Sequence, residues 1–233
     1  MISFADFLYP RRCAVCGETL DTLHRCLCEK CLEDIPLTYF WNWRENPAEK
    51  MLWGRCRFET VSSLLYYRRE SAYSSLTPQV KYLGKRELGF FLGEMLGNFL
   101  SGGNVPPVDY LIPVPLHPLR KWKRGYNQAE IIAAGIMKGL RKGHSDGPPF
   151  LATDILFRRK WSRSQTGIDV GNKWENVTDA FAFRKKNADI LKNRHILIID
   201  DVLTTGATAE ACWNALSHIE DIRISYAALA FVE

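Results

Sequence analysis

The chain has 233 residues, enough for one large domain or a medium domain with a small appendage. Hydrophobic residues at 46% and charged residues at 24% match an ordinary globular composition and exclude global disorder. The formal net charge of +5 admits phosphate or nucleic-acid ligands without requiring them.

The longest unbroken apolar run is Tyr226 to Val232. It falls far short of the roughly 20 residues that span a bilayer, so no membrane insertion is expected. Asp6 lies inside the first apolar stretch, and Arg11 and Arg12 follow it. That reverses the charge order of a secretory leader and predicts a soluble, cytoplasmic protein.

Five of the seven cysteines fall within residues 13–31. Cys13-x2-Cys16 and Cys28-x2-Cys31 are two CxxC turns separated by 11 residues. Without a leader, metal binding is a better reading than a disulfide framework. Two such turns bring four thiolates onto one tetrahedral Zn²⁺. Cys26 and His24 leave the set open, because either could replace Cys28. A redox pair is the rival reading, disfavoured by two motifs so close together. The ion would hold together a segment too short to build its own core.

Composition shifts near residue 50. Residues 44–50 are polar, contain Pro47 and read as a linker. The expected division is a zinc-binding module with its linker over residues 1–50 and an α/β domain over residues 51–233.

From there, strand-like and helix-like segments alternate. Residues 57–67 read as extended chain. Residues 86–100 place Leu88, Phe91, Leu92, Met95, Leu96 and Phe99 on one helical face. Residues 109–114 form a short buried strand. Residues 127–142 carry Ala129, Ile132, Ala133, Ile136, Met137 and Leu140 at helical spacing, with Asn127 as N-cap. Residues 143–149 break that helix. Ile196–Ile199 make a second apolar strand, residues 207–219 a helix with Ala209, Cys212, Leu216 and Ile219 inward, and Ser225–Val232 a last strand. This alternation predicts a mostly parallel sheet flanked by helices.

The most informative stretch runs from Ile196 to Thr208. Four aliphatic residues end in Asp200 and Asp201, at the C-terminal end of a strand, where open α/β sheets bind ligands. Thr204, Thr205, Gly206, Ala207 and Thr208 then open a helix, whose amides and hydroxyls can cradle a phosphate. Piece by piece, this is ordinary loop chemistry. As one string it suits a phosphate beside hydroxyls or a metal, and a sugar phosphate has both.

The contiguous string resembles the phosphoribosyl pyrophosphate (PRPP) signature of type I phosphoribosyltransferases. The resemblance implies that Asp200 and Asp201 meet the ribose hydroxyls. It implies that Ala207, Thr208 and the loop from Thr204 hold the 5′-phosphate, with Mg²⁺ bridging the pyrophosphate. Further matches are Ile112-Pro113-Val114-Pro115, the run Arg120 to Gln128, Arg158-Arg159, Ser164-Gln165-Thr166-Gly167, Glu175-Asn176-Val177 and Ala180-Phe181. With the cysteine turns, the whole chain resembles the ComF family of competence-related proteins. That implies an N-terminal zinc module, a phosphoribosyltransferase domain and a link to DNA uptake in natural transformation. Lys173 departs from the family, which commonly has Arg there; the charge remains but bidentate phosphate geometry is lost.

The basic run has two physical uses. Arg120, Lys121, Lys123 and Arg124 could neutralise a pyrophosphate. They could also follow a single-stranded DNA backbone, with Trp122 and Tyr126 offering stacking faces. A solvated basic face is the plain alternative. Residues 158–177 have the polar composition of a lid. Two functions are therefore weighed: a PRPP-binding protein connected with DNA uptake, and an active phosphoribosyltransferase of nucleobase or related salvage whose acceptor is unidentified. No general base can be nominated.

Overall fold

The computed structural model describes residues 10–82, 84–117, 122, 124–141, 148–158, 180–184 and 188–233. In chain order the helices and strands are α1 (Glu29–Glu33), α2 (Pro47–Leu52), β1 (Val61–Tyr67), α3 (Leu76–Tyr82), α4 (Arg86–Gly102), β2 (Tyr110–Pro113) and α5 (Gln128–Leu140). There follow β3 (Phe150–Leu151), β4 (Leu156–Arg158), β5 (Phe181–Phe183), α6 (Ala188–Leu191), β6 (His195–Leu203), α7 (Ala207–Leu216) and β7 (Arg223–Val232).

Five strands form one sheet in the order β1-β7-β6-β2-β3, and every pairing in it is parallel. β4 and β5 form a separate antiparallel pair. Parallel strands are covered on both faces and so read as continuous aliphatic runs. β6 and β7 fit this rule, with Ile196–Ile199 and Ile224–Phe231 buried. Leu197, Ile199, Ala227 and Leu229 pack into the cluster that holds α3, α4 and α5. Ile196, Ile198, Tyr226 and Ala228 pack on the opposite side, with α2 and α7. A parallel sheet flanked by helices is thus the observed architecture. Among the described residues no helix is long and apolar enough to cross a membrane.

The face of α4 differs from the sequence expectation. Leu88, Leu92, Leu96 and Leu100 are deeply buried, together with Gly89, Gly93 and Gly97. Phe91, Met95 and Phe99 are only half-buried, and Phe99 stacks on Trp41 with ring centroids 4.5 Å apart. The glycines displace the aromatics because α4 and α5 meet backbone to backbone. A Cβ at Gly93 would strike the Ile132 carbonyl, and one at Gly135 the Phe90 carbonyl. Side chains cannot enter so narrow a seam.

Residues 44–50, expected to be a linker, form a folded element instead. Asn46 is fully buried and caps α2, accepting from the N–H groups of Ala48 and Glu49 at 3.0 Å. Its own amide donates to the carbonyl of Val61 on β1, also at 3.0 Å. Pro47 begins the helix, where its missing N–H costs nothing. Ala48 and Leu52 are buried.

The cysteine-rich segment packs on the α3 side of the sheet. Leu20, Cys26, Leu27 and Ile35 join the same apolar cluster as Leu76 and Val80. Gln79 on α3 donates to the Ala14 carbonyl at 2.7 Å, and the Tyr73 hydroxyl to that of Cys31 at 3.0 Å.

Candidate functional site

The thiols of Cys13, Cys16, Cys28 and Cys31 all lie within 4.8 Å of one another. Cys28 stands at the N-cap of α1, which directs Cys31 back toward it. The first turn closes through Gly17 N–H to the Cys13 carbonyl at 3.0 Å. A tetrahedral site with Zn–S bonds of about 2.3 Å has S–S edges of about 3.8 Å. The Cys16 and Cys28 sulfurs are 3.7 Å apart, so this donor set fits such an ion. Burial alone would raise the Cys13 thiol. The N–H groups of Cys16, Cys28 and Val15 outweigh that and hold it at about 6.

The ligand set left open by the sequence closes on Cys28. Cys26 faces the core, and burial pushes its thiol up to about 11. His24 is engaged elsewhere, with Nδ1 2.8 Å from the Asp21 carboxylate.

The second site follows from topology. β2 leads through α5 to β3 on one side, and adjacent β6 leads through α7 to β7 on the other. Connections leaving neighbouring strands in opposite directions open a crevice above their carboxyl ends. β2 pairs with β6 as far as Pro113 and Ile199. β6 then continues against β7 alone to Leu203, longer than the expected Ile196–Ile199 strand. Asp200 and Asp201 are therefore the first residues of β6 above the end of β2.

Adjacent on a strand, the two carboxylates turn to opposite faces. Asp200 accepts from the Tyr226 hydroxyl at 2.9 Å and from the Asp201 N–H at 2.8 Å. Asp201 meets Lys81 Nζ at 3.0 Å on the α3 side. Burial, reinforced by the charge of Asp201, pushes the Asp200 carboxyl up to about 7, against the opposing hydrogen bonds and Lys81.

The loop after β6 ends in a left-handed turn. Gly206 has φ 76° and caps α7, which begins at Ala207. A side chain there would be strained by the positive φ and would also strike Leu52, whose Cδ2 lies 2.6 Å from the Cβ position. Thr204 and Thr205 are exposed, while Ala207 and Thr208 are half-buried. Arg55 was not foreseen: its Nη1 donates to the Thr205 carbonyl at 2.8 Å. Tyr226 and Lys81 were missed as well. Each reaches the acids through strand register or helix packing, which local sequence does not reveal.

The basic run is only partly visible. Arg120, Lys121 and Lys123 lie outside the described residues, as do Lys173 and all of the expected lid after Arg158 (residues 159–177). Arg124 lies over the Tyr82 ring at 4.7 Å and donates to Gln128. Trp122 is 87% exposed. Tyr126 is not a stacking face: it is buried, its hydroxyl donates to the Val80 carbonyl, and Arg86 covers its ring. Tyr82, under Arg124, is 68% exposed. Asn127 ties the start of α5 to the end of β2, donating to the Val114 carbonyl at 3.0 Å and accepting from the Ala129 N–H at 3.2 Å.

The Asp200 shift has a definite sign for stability. The unfolded carboxyl ionises near its ordinary 3.8, the folded one near 7. Its favourable contribution is full below the lower value and is lost as pH rises toward the upper one. Asn cannot ionise, so Asp200→Asn should gain on the wild type between pH 5 and pH 8. The relative gain should be roughly 1–4 kcal/mol, one pKa unit being worth about 1.4 kcal/mol. Urea unfolding at the two pH values measures it; a constant difference would contradict the assignment.

No protein-family model matches the chain. It is 33% identical over 100 residues to Competence protein F of Haemophilus influenzae. That match covers 43% of this chain and only 40% of the Haemophilus protein. It is 24% identical over 202 residues to the DNA utilization protein YhgH of Shigella flexneri, covering 84% of this chain and 79% of that one. The YhgH protein of Escherichia coli O157:H7 gives the same figures. Among solved structures, the allosteric regulatory enzyme of purine biosynthesis aligns with a TM-score of 0.38 and 11% identity, over 64% of this chain and 29% of that one. The chain is thus similar to Competence protein F over part of its length and to the YhgH DNA utilization proteins over most of it, in line with the ComF resemblance of its motifs.

Proposed function

We propose that this chain binds PRPP with Mg²⁺ in the crevice above β2 and β6 and serves DNA uptake or use. One observation carries the reading: the two carboxylates and the Gly206 turn belong to one continuous segment at the switch point of the sheet. A ligand with vicinal hydroxyls one sugar ring from a phosphate can meet both ends of that segment. Asp200 and Asp201 would take the ribose hydroxyls; Thr204, Thr205, Gly206, Ala207 and Thr208 would hold the 5′-phosphate. The carboxylate oxygens suit a hard cation, and Mg²⁺ would offset the charge of the pyrophosphate. The names of the relatives, which speak of competence and DNA utilization, support the connection with DNA. The same reading places Zn²⁺ on Cys13, Cys16, Cys28 and Cys31, in a structural role.

Asp201→Ala should remove hydroxyl contacts, and Gly206→Val should disturb the loop. A hydrogen bond to a charged group is worth about 1.5–3 kcal/mol, so each variant should lose tenfold or more in PRPP affinity. Calorimetric titration with PRPP and Mg²⁺, with ribose 5-phosphate for comparison, reads this directly. Wild-type protein that binds neither ligand would overturn the reading. If PRPP binds, incubation with a panel of nucleobases separates the two functions: pyrophosphate release identifies a transferase, and binding without turnover a PRPP-responsive module.

The metal assignment predicts about one zinc per chain, measured by elemental analysis of protein kept reduced. Cys13→Ser should release it and lower the melting temperature. Less than half an equivalent, unchanged by that substitution, would defeat the assignment.

Arg124 over Tyr82, beside exposed Trp122, supports weak binding of single-stranded DNA without sequence preference. Anisotropy titration of a labelled oligonucleotide should show affinity falling steeply with salt. It should fall further with Arg124→Glu or Trp122→Ala. No binding at low salt would mean that any DNA role acts through another protein.

A further inference from the structure

Helix α2 and the turn after it reach the phosphate loop from far away in the chain. Leu52 closes over Gly206, and three residues later Arg55 spreads its guanidinium across the base of α7. Nε and Nη2 both donate to the Glu210 carboxylate, Nε at 2.9 Å, while Nη1 donates to the Thr205 carbonyl at 2.8 Å. The fork is about one-third exposed. α2 is itself pinned to β1, through Asn46 to the Val61 carbonyl and through the Val61 N–H to Glu49 at 3.2 Å.

We propose that Arg55 is a positioning residue of the phosphate loop: it fixes the Thr205–Gly206 peptide and cancels the charge of Glu210 beside a bound phosphate. This rests on the reading of the loop as a phosphate site. Two physical effects carry it. In a planar trans peptide, the carbonyl of one residue and the N–H of the next point in opposite directions. Holding the Thr205 carbonyl on Arg55 therefore turns the Gly206 N–H to the other side of the loop. A carbonyl free to rotate would bring its partial negative charge toward the anion. Glu210 is in the first turn of α7, where it interacts well with the helix dipole but repels a phosphate. The guanidinium neutralises it through two N–H groups on one carboxylate oxygen while a third holds Thr205, and a lysine ammonium lacks this fixed fork.

The test uses the full chain, with ribose 5-phosphate and Mg²⁺–PRPP as probes. Arg55→Met should weaken both by the same factor, at least tenfold, because they share the 5′-phosphate. Arg55→Lys should recover only part of the loss. Adding Glu210→Gln to Arg55→Met should also recover part, since it removes the carboxylate left unpaired. A merely structural role would not move the ionisation of the bound phosphate. Its second pKa, about 6 when free, should lie lower in the wild type than in Arg55→Met by phosphorus NMR. Glu210→Gln should bring it back down in the double variant. If Arg55→Met does not fold, Arg55→Lys carries the same comparisons. Ribose 5-phosphate affinity within twofold of wild type in Arg55→Met, or in Arg55→Lys where that stands in for it, overturns the proposal and leaves the phosphate site standing. Wild type that binds neither probe removes both.

Discussion

Strand β6 is buried on both faces as far as Ile199 and loses its β2 neighbour there. A carboxylate placed within Ile196–Ile199 would sit among aliphatic side chains, at a cost of several kcal/mol or a neutralised charge. The carboxylates therefore stand where the strand still has β7 to hold its backbone but no longer has β2 beside it. Everything else at the crevice answers to that position. Tyr226 is placed under Asp200 by the β6–β7 register, which pairs it with Ile198. Lys81 faces Asp201 because Tyr126 and Gln128 fasten the last turn of α3 to the start of α5. The two acids thus differ in surroundings although adjacent in sequence, one against a phenol and the other against an ammonium.

The segment before the sheet belongs to the site rather than beside it. Helix α3 carries Lys81 at one end, and through Gln79 it holds the carbonyl of Ala14, next to the first metal-type cysteine. The thiol cluster and the crevice are joined by a single short helix. On the other face, α2 plays the same part for the loop from Thr204 to Gly206. Residues 10–56 therefore buttress the crevice from both sides of the sheet.

What the sequence disclosed and what it hid divide along the range of the interactions. The aliphatic run of β6, the Asn127 cap and the paired CxxC turns were legible because each is written in neighbouring residues. The face of α4 was misread because glycines score as neutral in a hydrophobic pattern, although here they mark the closest contact between helices. Residues 44–50 were misread from their polarity. The Asn46-Pro47 start of a helix was present in the sequence, but burial of Asn46 depends on Val61 and cannot be seen locally. Tyr126 looked like a free aromatic beside basic residues until α3 covered it. Lys81, Tyr226 and Arg55 were invisible for one reason: each partners a residue brought near only by the closed sheet, as with Arg55 and Thr205, 150 positions apart.

The pairing of β1 with β7 sets the order in which the molecule can be built. Val61 lies against Tyr226, and Tyr67 against Val232, so the first strand has no sheet partner until the last one has been made. Helix α2 docks on β1 through Asn46 and Glu49, and Gly206 rests against Leu52 of α2. During synthesis, the α4–α5 pair can close early from nearby residues. The first strand, its attached helix and the loop beneath Arg55 must wait for β7. Such long-range closure is slow and leaves apolar β1 exposed meanwhile. The upper part of β6 is consequently among the last parts of the molecule to take shape, and a nascent chain lacking β7 would hold Asp200 and Asp201 without the strand that fixes them.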